Sequence, residues 1–225
     1  IIDEKKFDIL KSMQKEWTNR DETTTEKRMT LLGQILFVST LIALFMVYLE
    51  IFRKDFYKVK GNISLLFCII VFFPILAFIM VEHAFMSVYI VPFAMIPMLI
   101  KIFLDSRTAF MAHITTILIT SVVLRTPHEF ILLQTVAGMA AIYSLRELSQ
   151  RSQLLSSAFV VTVSYALMYL ALDLIHASEI AQLSTYVYFN FIINGVLLLF
   201  TYPLLFILEK TFGFTSNVTL VEISN

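Results

Sequence analysis

The sequence predicts an all-α fold, a polytopic membrane protein with seven transmembrane helices. The first observation is composition: 58% of the 225 residues are hydrophobic and only 15% are charged, whereas soluble domains are about 45–50% apolar and roughly 25% charged. The second is distribution, because the apolar residues fall in long runs and the mean hydropathy is +0.81. Runs of this kind are typical of helices that cross a hydrocarbon core.

Each apolar run is taken as one membrane span. The third and fourth spans are separated only by Asp105-Ser106-Arg107, which predicts a tight helical hairpin. Prolines inside the runs predict kinks in the second, third and seventh spans, because proline removes a helical hydrogen bond. These prolines are Pro74, Pro92, Pro97 and Pro203. The predicted spans are 31–51, 63–81, 87–104, 108–124, 130–145, 153–174 and 186–208.

The cations between the spans predict the orientation of the chain, because cytoplasmic loops carry an excess of Lys and Arg. The loops after spans one, three and five and the tail are basic, whereas the opposite loops contain only Arg125. The N-terminus is therefore predicted outside and the C-terminus in the cytoplasm. The basic group is Arg53, Lys54, Lys58, Lys60, Lys101, Arg107, Arg146, Arg151 and Lys210.

The flanks predict two further regions. Residues 1–30 are charged with a partial helical apolar stripe, which fits either an amphipathic helix at the membrane surface or the last helix of an extracytoplasmic domain. Residues 209–225 form a polar tail that reads as a cytoplasmic linker toward a further domain, and both ends of the chain look cut. The net charge is zero, which indicates neither a nucleic-acid partner nor an acidic one. The single cysteine, Cys68, excludes an internal disulfide.

Polar side chains at membrane depth are the first candidate site. His113, Gln134, Asn190 and Asn194 fall inside predicted spans, with Gly195 beside the last of them. They would either line a polar ligand cavity or hold helices together, the usual role of polar and small residues between membrane helices.

The second candidate site consists of acid–histidine pairs at the predicted outer mouth. They would form a ligand or metal site there, or serve as ordinary interfacial residues. At the inner end, the spacing of Lys101 and Asp105 predicts an ion pair within one helix. No motif of a zinc helix, nucleophile elbow or phosphate loop is found, so no catalytic, cofactor-binding or metal-binding residue is assigned. The outer pairs are Glu82 with His83, His128 with Glu129, and Asp173 with His176.

The tail carries a resemblance. It runs from Tyr202-Pro203 through Glu209, Lys210 and Gly213 to Leu220-Val221-Glu222-Ile223-Ser224-Asn225. It resembles the exit from the membrane region of bacterial seven-transmembrane receptors with a cytoplasmic HD hydrolase domain, where a Leu-Leu-Glu-Leu-Ser-Asp-like run leads into the hydrolase. Asn194-Gly195, the turn 104–109, the basic segment 146–151 and the opening segment 2–12 are similar to parts of the same family.

The resemblance implies a sensing and signal-transduction module of the bacterial inner membrane. An outer domain would sense an unknown ligand, and the helices would regulate a cytoplasmic cyclic di-AMP phosphodiesterase with two metal ions. The chain itself would be neither an enzyme nor a cofactor binder. Its partners would be the bilayer, those two domains and, in a homodimer, a second copy. We assign coupling to Pro203, Glu209 and Gly213. Two alternatives stay open, a small transporter or channel and an intramembrane metalloenzyme that uses the outer pairs.

Overall fold

The computed structural model describes residue 11 and residues 24–58, 60–83, 87–145, 152–176 and 185–212. The chain divides into two compact units, residues 1–40 and 41–225. The described residues are mostly helical and include no strand, which confirms the all-α prediction for this part of the chain. The α-helices are α1 Thr24–Phe52, α2 Lys60–Glu82, α3 Met95–Phe103, α4 Ser106–Ser121, α5 Pro127–Ser144, α6 Ser152–His176, α7 Thr185–Leu198 and α8 Thr201–Phe212, with short 3-10 helices at Lys54–Lys58 and Val88–Ile90.

Length and composition make three of these helices candidate membrane spans. They are the segments Glu26–Phe52, Gly61–Glu82 and Gln153–Ile175, and a fourth candidate results if the bent pair α7 and α8 is one span. The remaining helices are shorter, so the seven-span topology stays a prediction.

Apart from residue 11, the described part of the first unit is residues 24–40 of α1. Its large apolar side chains are exposed, among them Ile35 and Leu36 at 60% and 69%. A helix that presents apolar side chains in this way suits a lipid environment.

The second unit is organised around the short helix α3. Most of α3 is buried, from Met95 to Ile100 and again at Ile102, where it packs against α4, α5 and α8. The helices α4, α5, α6 and α7 pack in chain order. This helix has only nine residues, because proline interrupts the apolar run that contains it.

Proline accounts for two interruptions. Pro92 lies between the 3-10 helix Val88–Ile90 and α3. Pro203 lies in the first turn of α8. In a continuous helix its ring would clash with the carbonyl of Leu199, and the chain turns at that point. The helices α7 and α8 are bent by 41° at this break, as the sequence predicted. Pro97 breaks nothing, because the first turn of α3 needs no N–H at that position, and Pro74 lies inside the unbroken helix α2.

The predicted ion pair between Lys101 and Asp105 is wrong. The helix α3 ends at Phe103, so the two residues do not share a helix face. Lys101 Nζ instead donates to the carbonyl of Ile142 at 2.7 Å. Asp105 caps the next helix and pairs with Arg53.

Candidate functional site

A buried histidine links α4 to α5. His113 is fully buried, and its Nε2 lies 2.8 Å from the carbonyl oxygen of Gln134. A carbonyl only accepts, so Nε2 carries the proton and Nδ1 is the unprotonated acceptor. Gly138 makes this contact possible, because a Cβ atom there would overlap the imidazole ring. The histidine is thus held directly against the neighbouring helix.

The side chain of Gln134 extends the link to α6. Tyr165 is buried on α6 and donates its hydroxyl to Gln134 Oε1 at 2.5 Å. The ring of Tyr165 stacks on Phe191 of α7, with 5.3 Å between the centroids. Sequence reasoning missed Tyr165. A tyrosine within an apolar run was the only available signal, and tyrosine is common in such runs.

Asn194 connects α7 to the interrupted segment before α3. Its Nδ2 donates to the carbonyls of Tyr89 and Val91, each at 2.9 Å. These carbonyls lie beside Pro92, where regular helical bonding stops. The amide gives the Tyr89 carbonyl a donor and gives the Val91 carbonyl a second one, beside the backbone N–H of Phe93 at 2.9 Å. Gly195 follows, and a Cβ atom there would overlap Thr162 Oγ1 of α6. Asparagine and glycine together therefore bring α7 close to two neighbouring segments.

We call His113, Gln134, Tyr165, Asn190 and Asn194 the polar core. Within the described residues, four of its polar atoms are buried and without a hydrogen-bond partner. Two are acceptors, His113 Nδ1 and Asn194 Oδ1, and two are amide donors, Gln134 Nε2 and Asn190 Nδ2. The polar core is built from imidazole, amide and phenol groups and contains no carboxylate or ammonium group.

The described members of the predicted outer pairs are not gathered into a metal-binding group. No group of three or more possible ligands is found among the residues that the structure describes. Glu82 and His83 are exposed at the end of α2, and His128 is exposed at the start of α5. Glu129 accepts a hydrogen bond from the Tyr89 hydroxyl at 2.7 Å. Asp173 is half-buried, and the side chain of His176 lies outside the described part.

At the other end of α4, an acidic residue joins two elements. Asp105 accepts from the backbone N–H groups of Arg107 and Thr108 at 2.9 and 3.0 Å, and pairs with Arg53 at the end of α1. Burial raises the pKa of Asp105, but the hydrogen bonds from Thr108 and Arg53 outweigh it and hold that pKa below its ordinary value. The same hydrogen bond raises the pKa of Arg53. The Arg53 guanidinium also lies 5.1 Å from the centroid of the Phe56 ring.

Comparison with known proteins identifies the family of this chain. Residues 28–216 match the family described as the 7TM receptor with intracellular HD hydrolase. The chain belongs to this family. No curated protein and no solved structure matched it.

Membership of the 7TM receptor family confirms the resemblance carried by the tail and makes the chain a membrane protein of receptor type. The match is to the receptor region, not to the hydrolase.

The residues assigned to coupling lie at the end of this receptor region. Pro203 and Glu209 are in α8, where Pro203 is exposed and Glu209 is half-buried. Gly213 lies outside the described residues. The same helix follows the 41° bend after α7, so the polar core and the coupling segment are connected through one bent helix pair.

Proposed function

We propose that this chain is a seven-helix transmembrane sensing module that regulates a cytoplasmic HD-type cyclic di-AMP phosphodiesterase in a bacterial inner membrane. The family match over residues 28–216 carries the proposal. The basic loops support an outer N-terminus and a cytoplasmic C-terminus.

The proposed path of the signal starts in the polar core. Asn194 is fixed to the segment before α3, while Phe191 on the same helix stacks against Tyr165 of α6. A ligand or an outer domain that changes this packing would shift α7. The shift would pass across the bend to α8 and its continuation, so that two packing states give two levels of hydrolase activity.

The bend supplies the test of coupling. Pro203→Ala, in a version of the protein that carries the hydrolase domain, removes the ring that disfavours a continuous helix. We expect straightening of the bend to alter basal or regulated hydrolysis of cyclic di-AMP. Pro74→Ala is the matched control, because Pro74 lies inside a helix without a break. Hydrolysis unchanged in both variants would refute the coupling role.

The topology has a separate test that needs no activity. Cys68 is the only cysteine, so Cys68→Ser gives a background for single-cysteine labelling in intact cells. Lys54→Cys should be protected from an impermeant maleimide, and Arg125→Cys should react with it. Labelling of both positions from the same side would contradict the proposed orientation.

A further inference from the structure

Two grooves flank the start of α4 at the end that carries Asp105. The first, about 670 Å³, lies beside Tyr48, Phe52 and Met111. The second, about 330 Å³, lies beside Met139, Ile142 and Tyr143. Ser106, Arg107 and Phe110 line both grooves. The two grooves therefore run along opposite sides of one helical turn and meet at Arg107.

The walls of these grooves are apolar and open. Phe52 and Tyr143 are exposed at 70% and 71%, and Met111 at 39%. Aromatic and thioether side chains exposed at the end of a membrane helix pack well against hydrocarbon.

Among the described residues, the charges at the junction of the grooves include one cation without a paired carboxylate. Arg53 and Asp105 neutralise each other as an ion pair. Arg107 uses its backbone N–H for Asp105, but no ion pair of its guanidinium is found within the described residues. Arg107 is also exposed. A guanidinium binds phosphate in a bidentate manner, which a single charge on a flexible lysine does not reproduce.

We propose that the two grooves and Arg107 form a binding site for one anionic phospholipid, with its phosphate on Arg107 and one acyl chain on each side of Phe110. This rests only on the membrane part of the proposed function and not on its orientation or its hydrolase. The apolar walls match the acyl chains, and the exposed Arg107 guanidinium matches the anionic headgroup. The nearby Asp105 carboxylate disfavours a free phosphate dianion, whereas a phosphodiester carries a single charge that Arg107 balances.

The test uses purified protein in a neutral detergent and native mass spectrometry. Phosphatidylglycerol, phosphatidylcholine and free glycerol phosphate are titrated in turn. We expect one phosphatidylglycerol to be retained in preference to phosphatidylcholine. Arg107→Gln should weaken retention about tenfold, as expected for loss of a charge-assisted hydrogen bond.

Two variants keep the test decisive. Arg107→Lys keeps the charge and should keep part of the binding, which separates loss of the site from misfolding. Arg125→Gln removes an exposed cation beyond the other end of α4 and should leave retention unchanged. Equal retention by Arg107→Gln and the wild type, or an equal loss in Arg125→Gln, would overturn the proposal. Displacement of the lipid by glycerol phosphate at equal concentration would overturn it as well, because the site would then bind phosphate alone.

Discussion

Gly138 offers a direct test of the polar core. The histidine ring of His113 lies where a Cβ atom at position 138 would be, so Gly138→Ala forces the ring away from α5. The displaced ring loses its bond to the Gln134 carbonyl. His113 is fully buried, so water cannot replace the partner.

The expected magnitude combines three contributions. Overpacking of a tight contact costs about 1–3 kcal/mol, and loss of one neutral hydrogen bond costs about 1 kcal/mol. The higher helix propensity of alanine offsets roughly 1 kcal/mol of this. The net loss in the free energy of unfolding is about 2 kcal/mol, or a fall in Tm of roughly 4–8 °C for a chain of this size.

Thermal unfolding in detergent, followed by circular dichroism, measures this loss. The matched control is Gly33→Ala in α1, because nothing lies within 4 Å of a Cβ atom there. We expect the control to be neutral or slightly stabilising. The effect should also disappear in a His113→Ala background, where no ring opposes the new methyl group. An equal cost of Gly138→Ala with and without His113 would refute the contact.

Three further predictions concern single side chains of the second unit. Asn194→Leu should destabilise by roughly 2–4 kcal/mol, because the carbonyls of Tyr89 and Val91 both lose the Asn194 amide and only Val91 keeps another donor, the N–H of Phe93. Asn190→Leu, whose amide nitrogen has no partner among the described residues, should be near neutral; chemical unfolding of both variants measures the difference, and equal costs would contradict the assignment. Tyr165→Phe should cost about 1 kcal/mol through the lost bond to Gln134, and an unchanged Tm would argue against that bond. The pKa of Asp105 is lower in the folded protein than its ordinary value of 3.8, so the ionised carboxylate stabilises the fold above pH 3.8, and this contribution is lost as the pH falls through the folded pKa. Asp105→Asn should therefore flatten the dependence of unfolding free energy on pH below about pH 4, and an unchanged dependence in that range would count against it.

Much of the helical layout could be predicted from the sequence, because apolar runs and prolines act locally. Each predicted span corresponds to a described helix or to a pair of helical segments, and the interruptions beside Pro92 and Pro203 follow from the missing N–H of proline. The buried position of α3 was not predictable, since composition alone cannot distinguish an apolar helix that faces lipid from one that other helices surround.

The candidate site was only partly predictable for a similar reason. His113, Gln134 and Asn194 stand out because polar groups are rare at membrane depth. Their partners are backbone carbonyls and a tyrosine on other helices, and no spacing in the sequence encodes such contacts. The ion pair expected between Lys101 and Asp105 was wrong, because an unrecognised helix end at Phe103 removed the assumed periodicity.

The bonds made by Asn194 also bear on how the chain is made. They join residues 105 and 103 positions apart in the sequence. At synthesis rates of about 5–20 residues per second, the donor emerges roughly 5–20 s after the carbonyls it serves. During that interval the backbone segment around Pro92 has to be kept from lipid by the insertion machinery or by neighbouring helices. A chain that stops before Asn194 therefore lacks the side chain that joins the segment around Pro92 to α7.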